Sequence, residues 1–186
     1  MLNAKLFNLL FFCLALLPAN AQTKWYSPME AGFPVVQNQG WIKELGNTYS
    51  RLPQRAEVEV RKPLWNLSLN SAGLAIHFYS NAPEIKVRYG VSGIDLYGID
   101  SDGNWMNASG SYQWGDTISY TFTNIGKDKF HNRGFEYRLY LPLYNTVKWL
   151  QVGVPENTEL KFIPVREEKP IVAYGTSITQ GACASR

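Results

Sequence analysis

The residues best suited to chemistry lie together in one short stretch, GTSITQG, from Gly175 to Gly181, directly after four apolar residues, Ile171 to Tyr174. A serine hydroxyl is a poor nucleophile at neutral pH. It must sit where a base can take its proton and where hydrogen-bond donors can meet the oxyanion that develops on an acyl carbonyl. Gly175 permits a sharp turn out of the apolar run. Ser177 then opens a helix, whose free backbone N–H groups and positive end favour negative charge. The same serine equally suits an ordinary helix N-cap, a role this residue fills often.

Partners for that hydroxyl are scarce. The chain has two histidines. His77 lies in LAIHFYS on the face opposite Ile76 and Phe78, and His131 lies in the polar stretch KDKFHNRG. Each reads as a surface or loop histidine rather than a base. Asp95 in GIDLY follows Gly93 and precedes strand residues, which reads as a structural acid accepting backbone N–H groups at a turn. Asp100 and Asp102 in GIDSDGNW lack the other ligand positions and the closing Glu of a calcium loop, so Asp-Gly here reads as a hairpin turn. No metal site and no cofactor are expected. Trp105, Tyr112, Trp114 and Tyr120 cluster in sequence; exposed rings on a sheet could stack on sugar faces, with core or lead-in packing as the alternative. Asn66 and Asn107 each open an Asn-x-Ser glycosylation acceptor.

The elements that must position these residues follow from composition and pattern. With 186 residues, 45% hydrophobic and 18% charged, the chain can bury an ordinary single core and resembles neither a disordered tail nor a membrane bundle. Its formal net charge is +3 and its pI about 8.8, but Lys and Arg are dispersed, so no nucleic-acid partner is expected. Residues 1–21 read as a signal peptide: Lys5, then an apolar run from Leu6 to Leu17, then Ala19-Asn20-Ala21 for cleavage. That run is too short for a spanning helix, so no membrane span is expected after cleavage, and the protein is expected to be exported, to the periplasm or outside the cell. Cys13 falls inside the apolar run and only Cys183 would survive processing, so no disulfide can form within the mature chain.

From Gln22 to about Pro53 the sequence is rich in Gly, Pro, Asn and aromatics and reads as an extended lead-in. Beyond it a period of two takes over. Ala56, Val58 and Val60 alternate with Glu57, Glu59 and Arg61; the same beat runs through Leu74 to Tyr79 and Glu84 to Val91, and returns in TISYTFTN, GFEYRLYLP and VKWLQVGV. No stretch between 53 and 163 shows a helical period. Strand runs every ten residues or so, separated by turn residues, predict an all-β, antiparallel β-sandwich of jelly-roll type over 22–164. PVREEKP then supplies a charged linker over 165–170. Residues 171–186 open with consecutive rather than alternating apolar positions, as the first strand of a parallel α/β domain does.

GTSITQG resembles the first block of the SGNH or GDSL hydrolases, usually Gly-Asp-Ser, a short spacer and Gly. GIDLY at 93–97 resembles the GxDLY motif of the β-domain that precedes a subset of them. YSRLP at 49–53, LWNLSLNSAG at 64–73, EYRLYLPLYN at 136–145 and VGVP at 152–155 are similar to further parts of that β-domain. The resemblance spans nearly all of the mature chain. It implies that Ser177 is the nucleophile and that its own backbone N–H is one oxyanion donor. Gly175, Thr176 and Gly181 would frame the motif, and Gly93 and Asp95 would be structural. Thr176 stands where the family has an Asp of mainly structural use. A Gly and an Asn from later blocks, and a closely spaced Asp and His near the C-terminus, would complete the site; none of these blocks occurs in the 186 residues.

The implied protein is an exported serine esterase acting on ester substrates, acylated carbohydrates among them, of which these residues are an N-terminal portion, inactive alone. About 180 further residues would complete such a domain. The other reading is a non-catalytic carbohydrate-binding or structural β-module. Nothing in the sequence states an oligomeric state.

Overall fold

Ile85, Val87 and Tyr89 are wholly buried while Lys86 and Arg88 between them keep contact with water, the alternation of a strand with one wet face. The same logic, repeated, builds the molecule. The computed structural model describes residues 22–90, 93–123, 125, 133–166, 168, 171 and 175–180. In chain order come β1 (Thr23–Tyr26), a 3-10 turn (Pro28–Glu30), β2 (Val36–Gln37) and three short helices, α1 (Ile42–Leu45), α2 (Ala56–Glu59) and α3 (Lys62–Ser68). Strands β3 (Ala75–Ser80), β4 (Ile85–Tyr89), β5 (Asp95–Asp100), β6 (Trp105–Ala108), β7 (Ser111–Gln113) and β8 (Ile118–Phe122) follow. Then come β9 (Arg133–Tyr140), β10 (Leu150–Pro155), β11 (Leu160–Phe162) and, after a gap in sequence, α4 (Ser177–Gln180).

One sheet has the order β1-β10-β4-β8-β7 and the other β11-β3-β9-β5-β6, with β2 added alongside β3; every pairing is antiparallel. Most connections pass from one sheet to the other, including β3 to β4, β4 to β5, β8 to β9 and β9 to β10. That winding makes the expected all-β sandwich. Its core is the layer between the sheets, where Ile76, Phe78, Leu96, Tyr137 and Leu139 of one sheet and Ile85, Val87, Val152 and Val154 of the other are at most 1% exposed. Phe78 and Tyr137 stack with centroids 5.5 Å apart, adding ring–ring attraction to simple burial.

The order of elements departs from the sequence reading ahead of β3. Residues 56–60 form no strand: Ala56–Glu59 is a helical turn, followed by the helix Lys62–Ser68, so helix does occur between 53 and 163. Val58, an inward position in the alternating reading, is 90% exposed. Arg55 instead bonds Glu59 one turn away, at the i,i+4 spacing a helix uses; it also bonds Glu44 of α1, and Lys62 bonds Glu57. Pro63 sits within the first turn of α3, where its missing N–H is not needed. The lead-in is also more than a packed extension: β1 pairs with β10 and β2 with β3, and Trp25 lies under the Arg88 guanidinium at 4.1 Å.

Leu96, the Leu of the GIDLY stretch, is fully buried between the sheets. Leu96→Ala is expected to lower unfolding stability by about 2–5 kcal/mol. Urea denaturation is the measurement; the midpoint should fall with little change in slope.

Candidate functional site

The serine turn is partly described. Gly175 and Thr176 are exposed, and a one-turn helix begins at Ser177 and ends at Gln180. The side chain of Ser177, Gly181, Cys183 and residues 172–174, expected to be strand, lie outside the described residues, as do residues 1–21 with Cys13. Gly175 has a steric reason to be glycine: a Cβ there would run into the Thr179 hydroxyl and lie 2.7 Å from Thr179 Cβ. Thr179 folds back over the turn, so the residue before Thr176 must be bare. Its partner in that contact, Thr179, carried no motif meaning in the sequence.

His77 is not a surface histidine. It is 7% exposed on β3, with Nε2 3.1 Å from Glu136 Oε2 on β9 and its ring edge-on to Trp105 at 5.8 Å. Arg138 completes the cluster, its guanidinium 4.1 Å over the Trp105 ring. The outer face of the sheet is therefore covered here by an aromatic and polar layer, which is why the alternation in β3 fails and Ala75 and His77 are buried as well as Ile76 and Phe78. Nothing in LAIHFYS foretells this, because the cover comes from β6 and β9. Burial, the largest influence, holds the imidazole below its ordinary value, and the nearby Arg138 and Arg166 act in the same direction against Glu136. His131 lies outside the described residues.

Gly93 has φ of 103°, a conformation glycine enters at little cost. Asp95 follows it as the first residue of β5, opposite Tyr140, with its charge near the buried Tyr89, whose hydroxyl is pushed well above the ordinary tyrosine range, chiefly by desolvation. The turn reading for Asp100 is met: Oδ1 accepts the backbone N–H groups of Asp102 at 2.9 Å and Asn104 at 2.8 Å, and Gly103 has φ of 85° as β5 turns into β6. Trp105 packs as described. Tyr120 stacks on Phe122 and approaches Tyr112 and Tyr89. Tyr112 and Trp114 remain 51% and 68% exposed, edge to face, at the margin of the five-stranded sheet.

Three of the stretches singled out in the sequence converge on one end of the sandwich. Arg51 donates to the carbonyls of Leu67 and Asn70. The backbone N–H of Ser71 donates to the Asn145 carbonyl at 3.2 Å, and that of Leu141 to Leu74 at 3.0 Å. Thr146 bonds Asn70 across the same junction at 3.3 Å. These contacts clamp the helical layer onto the β9–β10 connection. Sequence spacing alone could not reveal the joint, since its parts lie some seventy residues apart.

A two-sheet sandwich with a Gly-Thr-Ser turn and helix start beyond it defines a β-domain set ahead of a serine-turn element. The chain belongs to the GxDLY family, the N-terminus of esterases of the SGNH-hydrolase type, whose model matches residues 23–92 and 88–160. Among solved structures it is similar to a protein of Bacteroides ovatus ATCC 8483 described as a GDSL-like lipase, at 26% identity and a TM-score of 0.64. That match covers 86% of this chain and 49% of the other, so the chain spans about half the length of that protein. No curated protein matches. Among the described residues no helix is long and apolar enough to cross a membrane.

The folded chain takes up the His77 proton at lower pH than the unfolded chain. Stability from this site is therefore present above the ordinary imidazole value of 6.5 and lost as pH falls through and below it. Urea midpoints measured from pH 7.5 to pH 5 should fall toward the acid end, and His77→Gln should flatten that slope.

Proposed function

We propose that this chain is the N-terminal portion of an exported SGNH-family serine esterase that removes acyl groups from carbohydrate esters. The observation that carries the reading is the order of parts: a GxDLY-family sandwich, then GTSITQG with a helix starting at Ser177. In this reading the sandwich spans 22–164, residues 165–170 link it to the next domain, and residue 171 onward begins the hydrolase. The Ser177 hydroxyl loses its proton to a base from later in the protein and attacks the ester carbonyl. The resulting oxyanion meets the Ser177 backbone N–H, the alcohol departs with a proton, and water then releases the acid from the acyl-enzyme.

The present residues alone are expected to be silent: His77 is engaged by Glu136 and Trp105 within the sandwich, and in this reading the base comes from later in the protein. No nucleic acid, metal or cofactor has a part in this scheme. Export, to the periplasm or beyond the cell, follows from reading residues 1–21 as a cleaved leader.

A second reading rests on the exposed rings of Tyr112 and Trp114: a β-module that binds polysaccharide without catalysis. Trp105 is a poor candidate for stacking, since Arg138 already covers its ring. Titration with polysaccharides separates the readings; binding that disappears in Trp114→Ala supports the second.

In the parent protein, Ser177→Ala should reduce hydrolysis of a chromogenic acetyl ester by at least about 1,000-fold, and activity retained by that variant would refute the catalytic reading. N-terminal sequencing of the exported protein should begin at Gln22; an intact Met1 start would remove the leader from the account.

A further inference from the structure

The two ends of the sandwich differ in chemistry. At one end the described turns 81–84, 101–104 and 156–159 are short and carry no exposed large hydrophobic side chain. At the other end lie the α1–α3 layer ahead of β3 and the β9–β10 connection. There Trp41 is 41% exposed, Val58 90%, Leu64 37%, Leu67 51% and Tyr144 52%. This is also the end where Arg51, Ser71 and Asn145 join the two segments. Other exposed apolar side chains, Met106, Tyr112, Trp114 and Phe135 among them, lie elsewhere, but a group of five in the helical layer and the adjoining connection is the kind of patch that marks a contact surface.

The path of the chain indicates what covers it. After β11 the backbone continues along β3, the Ile163 N–H donating to the His77 carbonyl and the Val165 N–H to Pro34. Gln37 holds the Ile163 and Pro164 carbonyls. Since β11 runs antiparallel to β3, the segment leaving the sandwich heads toward the start of β3, which is the apolar end. The match covers 49% of the GDSL-like protein, and in the proposed reading the added length is the domain that follows. Aliphatic Val58, Leu64 and Leu67 suit a protein surface better than a sugar, which stacks on flat rings.

We infer that the α1–α3 layer and the β9–β10 connection form the docking surface for the domain that follows Arg166 in the parent protein. This rests on the reading that a hydrolase domain follows. The contact would be of interdomain kind, holding the serine turn beside the sandwich rather than letting it swing on the 165–170 segment.

Hydrogen exchange with mass-spectrometric readout tests it, comparing the parent protein with the 22–186 chain. Amides in 56–69 and 142–149 should exchange at least tenfold more slowly in the parent. Val58→Lys with Leu67→Lys should abolish that difference while leaving protection of Ile85–Tyr89 unchanged, since both side chains are already exposed in the sandwich. Equal exchange in the two proteins overturns the proposal, as does protection that rises with protein concentration, which would assign the surface to a second copy, or protection that appears only with added polysaccharide. The esterase assay is read separately. Protection without esterase activity removes the hydrolase reading and keeps the docking surface; activity without protection removes the docking surface alone.

Discussion

Ile76, Phe78, Leu96 and Leu139 on one sheet and Val87, Val152 and Val154 on the other exclude water from one another, and the remaining structure depends on that mutual burial. No described residue is a cysteine, so no cross-link among them shares the task. Each sheet has one wet face, and neither could stand without the other, because separating them would expose a continuous apolar layer. The polar features are arranged around this constraint. Asp100 closes a hairpin so that β6 can return along β5, and Arg51 fastens short helices that have too few residues to persist alone.

Where burial obeyed a period of two, the fold could be read directly. Ile85-Lys86-Val87-Arg88-Tyr89 is such a case, and so is the Asp-Gly turn after Asp100. Where a side chain's environment is set by distant strands, it could not. His77 is hidden by Trp105 and Arg138, whose positions follow from register. Ala56 to Val60 alternates in sequence yet forms a helical turn, because no neighbouring strand is offered to it and Arg55 finds Glu59 one turn away. Helices of four and seven residues are too short to display a 3.6-residue period. The serine turn was legible as a motif, from Gly175, Thr176 and Ser177, but the back-fold of Thr179 over Gly175 was not. The chemistry proposed for it calls on groups that no local pattern in these residues supplies.

The GxDLY residues themselves divide their labour along the same line. Leu96 points into the core and Tyr97 turns outward, edge-on to Tyr140 at 5.7 Å. Gly93 bends the entry to the strand. The motif is thus a strand-opening device, one residue for the bend, one for the interior and one for the outer face. Family membership rests on the sandwich to which these residues belong, whereas the catalytic proposal rests on Ser177.

The pairing of β1 with β10, from Thr23 opposite Pro155 to Tyr26 opposite Val152, has a kinetic meaning. β1 finds its partner only after the rest of the sandwich through β10 has been made, so this edge is zipped late and across the greatest loop-closure distance in the sandwich. Completion of the five-stranded sheet therefore waits on the last of its strands to be made, β10.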